Sequence, residues 1–123
     1  MLFTGYGQKF STRNAVQYDA IGAFWDRMSE RFGRENLRGL GFGWTEDTIE
    51  YVIGPKEGDM DPSLGCEGAV YRQISLPDDG WIRYTGRTEN LPELYDEIYK
   101  DGPLLYEIET FGEDSGCEIL IRR

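Results

Sequence analysis

The fold of this chain is decided by residues 90–111, which read NLPELYDEIYKDGPLLYEIETF. The first half has Pro92 in its opening turn and stops at Gly102-Pro103, which predicts a helix over Leu91–Lys100. Its apolar stripe comprises Leu91, Leu94, Tyr95, Ile98 and Tyr99. Residues 104–111 alternate with period two and predict a strand. A helix that must bury one stripe, followed at once by a strand, is typical of an α+β fold.

The predicted strand carries two acidic residues on one face. Period two places Glu107 and Glu109 together with Leu105 and Phe111. Spacing alone leaves two interpretations open: a solvated strand face, or carboxylates inside a pocket. In a pocket, desolvation makes an unpaired carboxylate costly and raises its pKa, so a cationic ligand would relieve that cost. Glu107 is therefore a candidate ligand-binding residue, and Glu109 is a second.

The rest of the chain predicts another helix and more strands. Residues 14–32 carry apolar side chains at helical spacing, with Asn14 as the N-cap and Gly33 as the stop. Residues 54–68 show no periodicity and predict a loop, which could cover a groove. Glycines alternate with large residues over 40–44, which fits a strand with one closely covered face. Strands are predicted ahead of the first helix and over residues 40–44, 48–53, 69–76, 81–86 and 117–122.

The order of these elements predicts an α+β fold of two βαββ half-repeats, because each helix is followed by two strands. The simplest arrangement is one antiparallel sheet with both helices on one face. A ligand groove between the halves would then lie on the opposite face. A length of 123 residues fits a single domain over residues 1–123.

Composition excludes several classes of function. Thirteen Lys and Arg against 23 Asp and Glu give a net charge of −10, which repels nucleic acid and anionic membranes and attracts cations or basic partners. There is no His, which removes a Ser-His-Asp hydrolase and most transition-metal sites. No apolar run is long enough to span a membrane, and the first residues do not resemble a signal peptide. We therefore expect a cytoplasmic protein with reduced cysteines and neither metal nor cofactor.

Aromatic residues make up 14% of the chain, a large share for a small core. Trp44, Tyr51, Trp81 and Tyr84 all lie on predicted strands. Such rings attract cations and stack on flat apolar ligands. Any one of them could simply belong to the core. Together with acids that look buried, they favour a pocket with stacking walls.

Three segments resemble the GyrI-like effector-binding domain, the ligand-sensing module of AraC- and MerR-type multidrug regulators. They are residues 74–86 (ISLPDDGWIRYTG), 91–98 (LPELYDEI) and 105–109 (LYEIE). The predicted helix with Phe24-Trp25 and residues 51–54 fit the same pattern, so the resemblance covers nearly the whole chain. It is greatest to stand-alone members such as cationic drug-binding proteins carried on integron gene cassettes.

The resemblance implies an SHS2-like fold of two βαββ halves with a ligand groove between them. It also implies that an acid of the Tyr-Glu strand contacts cationic lipophilic drugs, and the matching position here is Glu107. Trp81 falls where the family often has Tyr. The chain has no segment that matches the DNA-binding domain of the regulators, so direct control of transcription is not expected. Some relatives are hydrolases of strained electrophiles and use acids of the same groove.

The leading hypothesis is a stand-alone binding module for cationic, aromatic, lipophilic small molecules. Glu107 and Glu109 supply the counter-charge, and the four strand aromatics supply the walls. One alternative is a hydrolase in which Glu107 or Glu109 acts as a general base on water. Another is an acidic interaction protein that binds a basic partner. A protein partner or a homodimer is compatible with these hypotheses, whereas direct binding to nucleic acid or membrane is not.

Overall fold

The structure, a computed structural model, describes residues 1–112 and 114–123. Within them, seven strands form one antiparallel sheet, and two helices pack against one of its faces. The predicted α+β class is confirmed. The helices are α1 (Gln17–Phe32) and α2 (Leu91–Lys100), and the strands are β1 (Leu2–Ser11), β2 (Leu37–Phe42), β3 (Thr48–Pro55), β4 (Val70–Ser75), β5 (Ile82–Arg87), β6 (Tyr106–Phe111) and β7 (Gly116–Arg122).

The strand order across the sheet is β4-β1-β3-β2-β6-β7-β5, and every neighbouring pair is antiparallel. The middle of the sheet is therefore the β2–β6 pair. On one side of it the segment β1-α1-β2-β3 pairs in the order β1-β3-β2. On the other side β5-α2-β6-β7 pairs in the order β5-β7-β6. β4 pairs with β1 at one edge. It corresponds to the predicted strand of residues 69–76, but two half-repeats of three strands each have no place for a seventh strand.

The helix ends follow the sequence except at the start of α1. α2 occupies the predicted residues. α1 begins at Gln17 instead of directly after Asn14, because Asn14 and Ala15 have positive φ angles of 55° and 58°, which an α-helix does not allow. Its end is as predicted: Gly33 has a φ of 82°, and its N–H donates to the carbonyl of Ser29.

A short connection joins the two edges of the sheet. β4 and β5 follow one another in the chain, yet they lie at opposite edges of the seven strands. Neighbouring strands are about 4.8 Å apart, so the edges of a flat sheet would be about 29 Å apart. The residue steps from Ser75 to Ile82 reach at most about 25 Å. The sheet must therefore curl, with the link of residues 76–81 across the inside of the curl.

This curl closes the face of the sheet opposite the helices. Leu40, Val52 and Ile108 lie at the middle of that face and are buried against Leu76 and Trp81 of the link. The order of elements in the sequence predicted a ligand groove on this face. That expectation is wrong, because apolar side chains fill the inside of the curl and form a core there.

β1 and β3 approach each other closely at Gly54 of β3. A Cβ added at Gly54 would overlap the backbone carbonyl oxygen of Thr4, and a backbone atom cannot rotate away. Gly54→Ala should therefore lower the free energy of unfolding by about 1–3 kcal/mol. Gly22→Ala is the control, because a Cβ there meets no atom within 4 Å, and alanine in a helix should add about 0.5–1 kcal/mol. Urea unfolding measures both; equal stabilities would contradict the close approach.

Candidate functional site

A cavity of about 920 Å³ lies between α1 and α2, over the middle of the sheet. It lies on the helix face and not on the opposite face. β6 contributes Glu107, Glu109 and Phe111, as the period-two pattern predicts. The two predicted acids therefore lie together, on one face of a central strand, at the base of a space large enough for a drug-sized molecule.

Two glycines on β2 make room for Glu107 and for the Tyr51 hydroxyl, which lies beside Glu109. Gly41 is the cross-strand partner of Glu107, and Gly39 is the partner of Glu109. A Cβ at Gly41 would lie 3.2 Å from the Glu107 carboxylate, and one at Gly39 would overlap the hydroxyl of Tyr51. The alternation of glycine with large residues thus marks the closely covered face that the sequence predicts, and what covers it is the site itself.

Tyr51 holds Glu109 in place from below the cavity. The indole Nε1 of Trp25 donates to the Tyr51 hydroxyl at 2.9 Å, and that hydroxyl donates to Oε1 of Glu109. All three side chains are buried. Burial, and then the nearby charge of Glu109, raise the pKa of Tyr51 well above its ordinary value. Tyr51 therefore keeps its proton and remains a hydrogen-bond donor.

Glu107 is the less satisfied of the two acids. It is 4% exposed, and its hydrogen bond among the described residues is a long one of 3.3 Å from the Tyr99 hydroxyl to Oε2. Burial, and then the negative charge of Glu109, raise the pKa of Glu107 well above its ordinary value, with the Tyr99 bond acting in the opposite direction. The protein itself thus gives the ionised form of Glu107 little stabilisation.

Glu109 has more support. Burial also raises its pKa, but Tyr51, the Tyr95 hydroxyl and the positive charge of Arg34 act against that shift. The Tyr95 hydroxyl lies near Glu109 without a hydrogen bond of good geometry, and its oxygen is buried with no partner among the described residues. The Tyr95 hydroxyl can therefore still form a hydrogen bond within the cavity. Of the two acids, Glu109 has more neighbours that stabilise its ionised form than Glu107 has.

No described cation forms an ion pair with either acid. Arg34 lines the cavity, but its guanidinium lies over the ring of Phe111, 4.2 Å from the centroid. Burying an unpaired carboxylate is unfavourable unless a positive charge or several hydrogen bonds compensate. The ionised forms of the two acids therefore lack a paired positive charge among the described residues.

Two of the four predicted aromatic walls line the cavity, Trp44 and Tyr51. Trp44 does so from the β2–β3 turn and not from a strand, because β2 ends at Phe42 and Gly43 turns the chain with a φ of 64°. The structure does not bring the other two to the site.

Trp81 and Tyr84 lie elsewhere. Trp81 is on the opposite face, 6.3 Å from the ring of Tyr106, with its Nε1 donating to the Pro77 carbonyl at 2.8 Å. Tyr84 is on β5, two strands away from β6. It packs beneath α2 against a cluster of buried isoleucines, Ile98, Ile119 and Ile121. Residue type alone could not separate these rings from Trp44 and Tyr51, because the strand order decides which of them reach the site.

Several cavity residues were not predicted as site residues. Trp25 belongs both to the core and to the wall of the cavity. Tyr95 and Tyr99 were placed on the apolar stripe of α2, yet their rings stack with centroids 5.7 Å apart and both line the cavity. Two tyrosines one turn apart were a usable signal, since a buried hydroxyl needs a partner.

The loop of residues 54–68 does not cover the cavity. Met60 is buried against β1, with its backbone N–H donating to Oγ1 of Thr4 at 2.7 Å. The Tyr6 hydroxyl donates to the carbonyl of Asp61 at 2.7 Å, and no residue of this loop lines the cavity. The expectation of a covering loop is wrong, because these bonds fix the loop to β1.

The acids of the described residues do not form a metal site. No group of three or more His, Cys, Asp or Glu side chains in that part of the chain is placed to hold a metal ion. Of the two helices in the same part, neither is long and apolar enough to cross a membrane. No family model, curated protein or solved structure matches the chain. Function is therefore argued from the geometry of the cavity.

Burial of Glu107 makes the stability of the free protein depend on pH. Because its pKa is higher in the folded chain than in the unfolded one, the folded state holds the proton more tightly. The free energy of unfolding should fall as pH rises from the ordinary glutamate value of 4.5 through the raised pKa. Glu107→Gln removes that loss. At pH values above the raised pKa, the free energy of unfolding of the variant should exceed that of wild type. The difference should be about 1.4 kcal/mol for each pH unit by which the pKa of Glu107 is higher in the folded chain than in the unfolded one.

Urea unfolding at a series of pH values measures this gain. Glu97→Gln is the matched control, because Glu97 is exposed on α2 and does not line the cavity. Its curve of stability against pH should run parallel to that of wild type. If the curve of Glu107→Gln also ran parallel to that of wild type, the carboxyl of Glu107 would be solvated in the folded protein. That result would contradict the raised pKa.

Proposed function

We propose that this protein is a cytoplasmic binding module for cationic, aromatic, lipophilic small molecules. The observation that carries the proposal is a pair of buried carboxylates, Glu107 and Glu109, without a paired cation among the described residues, at the base of a cavity between two helices. A bound cation would recover the desolvation cost of the ionised carboxylate, so the site favours charged ligands over neutral ones.

The walls of the cavity suit the rest of such a ligand. Four elements contribute aromatic rings to the cavity. They are the β2–β3 turn with Trp44, α2 with Tyr95 and Tyr99, α1 with Trp25, and β6 with Phe111. A cation over an aromatic face gains about 0.5–2 kcal/mol, and flat apolar rings stack on the same surfaces. Glu107 is the principal counter-charge, because Glu109 already has Tyr51 and Arg34 near it.

The resemblance to GyrI-like effector-binding domains supports the same function. We also propose that β1-α1-β2-β3 and β5-α2-β6-β7 are two half-repeats. Their support is the common pairing order on the two sides of the β2–β6 pair. In that arrangement the ligand would lie between the helices of the two halves, directly over the strands where the halves meet.

The first test compares a flat cation with an uncharged molecule of the same size. At pH 8, 10-methylacridinium should bind saturably, and 9-methylacridine, an uncharged molecule with the same ring system and number of carbon atoms, should bind much more weakly. Glu107→Gln should weaken binding of the cation about tenfold or more, which corresponds to roughly 1.4 kcal/mol, and should change binding of the neutral molecule little. Isothermal titration calorimetry measures both affinities.

Glu97→Gln serves again as the control for net charge, since it removes one negative charge outside the cavity. It should leave the affinity for 10-methylacridinium within about twofold, because exposed charges are screened. Equal affinity for 10-methylacridinium and neutral 9-methylacridine, or equal effects of the two variants, would refute the proposed function.

Cation binding should also release protons. In the free protein the raised pKa keeps Glu107 partly protonated, and a cation favours the ionised form, so affinity should rise with pH until Glu107 is ionised in the free protein. Titrations near neutral pH in buffers of different ionisation enthalpy count the protons released. Wild type should release a fraction of a proton per ligand, and Glu107→Gln should release less. A pH-independent affinity in wild type would contradict this coupling.

A second candidate function is hydrolysis of a strained electrophile. It is favoured by the same pair, because a carboxylate of raised pKa beside the Tyr99 hydroxyl is suited to take a proton from water. Incubation with an epoxide, followed by mass spectrometry, tests it. Formation of a diol that needs protein and is lost in Glu107→Gln would establish catalysis, whereas an unchanged epoxide would leave binding alone.

A further inference from the structure

Negative charge lines the cavity at two depths. Glu107 and Glu109 are buried at its base, whereas Asp19, Asp26 and Asp96 line it with exposed side chains and therefore lie at its opening. Asp19 and Asp26 come from α1, and Asp96 comes from α2. The opening is thus acidic on both of the helices that border it.

The aspartates at the opening are not neutralised by the protein. None of the three forms an ion pair with the described residues. The residues that line the cavity include five carboxylates and one cation, Arg34, which lies over Phe111 and near Glu109. An excess of negative charge therefore remains at the opening after Arg34 is counted.

Acids at a surface do not by themselves make a site, but the base of this cavity gives an independent indication of a ligand. Glu107 is 4% exposed and has no cationic partner among the described residues, and the buried Tyr95 hydroxyl near Glu109 has no hydrogen-bond partner there. The described acids are not grouped to hold a metal ion, and the aromatic walls favour an organic cation. Such a ligand, anchored at Glu107, would extend past the aspartates toward solvent.

We propose that the cavity prefers dicationic ligands, with one charge on an aromatic ring system at Glu107 and a second on a flexible arm among Asp19, Asp26 and Asp96. This inference rests on the proposed function and specifies its ligand class. The inner charge is held by desolvated carboxylates and aromatic rings, so it sets whether a ligand binds. The outer charge meets solvated carboxylates, so its contribution is smaller and is reduced by salt.

Ethidium and propidium separate the two charges. They share one phenanthridinium ring, and propidium adds a quaternary ammonium on a propyl arm. Wild type should bind propidium about fivefold or more tightly than ethidium at low salt, with a smaller ratio at high salt. The triple variant Asp19→Asn/Asp26→Asn/Asp96→Asn should reduce that ratio to near one and leave ethidium affinity within about threefold.

A second triple variant controls for net charge. Glu30→Gln/Glu57→Gln/Glu97→Gln removes the same number of charges from exposed positions that do not line the cavity. It should keep most of the preference for propidium. Circular dichroism confirms that both variants are folded, and fluorescence anisotropy of the dyes gives the affinities.

The outcomes distinguish this inference from the proposed function. If Glu107→Gln weakens both dyes but wild type binds them equally, or if the two triple variants act alike, the dication preference is overturned and the proposed function remains. If neither dye binds saturably, or Glu107→Gln has no effect on either, the proposed function is refuted and the dication preference with it.

Discussion

The structure depends on one unfavourable arrangement, the burial of two carboxylates in the middle of an antiparallel sheet. Glu107 and Glu109 lie on the central strand β6, where a folded protein of this size would normally place apolar side chains. Gly41 leaves space for Glu107, and Gly39 leaves space for the Tyr51 hydroxyl. That hydroxyl accepts a hydrogen bond from Trp25 and donates one to Glu109. Glu107 has no comparable support, so the free protein retains a desolvation cost that a ligand can remove.

Much of this could be predicted from the sequence, because the relevant patterns are local. The stripe of α2 and the alternation of β6 depend on residues a few positions apart, and they place Glu107, Glu109 and Phe111 on one face. The alternating glycines of β2 likewise report a closely covered face. Composition added the expectation that the chain attracts cations, since its net charge is −10.

The remaining features depend on how distant strands are ordered, and local patterns do not contain that information. Trp81 and Tyr84 have the same residue types and spacing as wall residues, but β5 lies at the edge of the sheet and the link carries Trp81 to the opposite face. Tyr95 and Tyr99 satisfy the apolar stripe of α2 as well as any core residue would. Only the position of α2 beside β6 reveals that their hydroxyls lie near the acids.

The link of residues 76–81 influences the width of the cavity, although none of its residues lines the cavity. By connecting opposite edges of the sheet it sets the curvature, and the two helices stand on the convex side. Stronger curvature spreads α1 and α2 apart, and a flatter sheet brings them together. The width of the cavity can therefore change in evolution or in engineering through insertions and deletions in this link. The chemistry of Glu107 and its neighbours would stay the same.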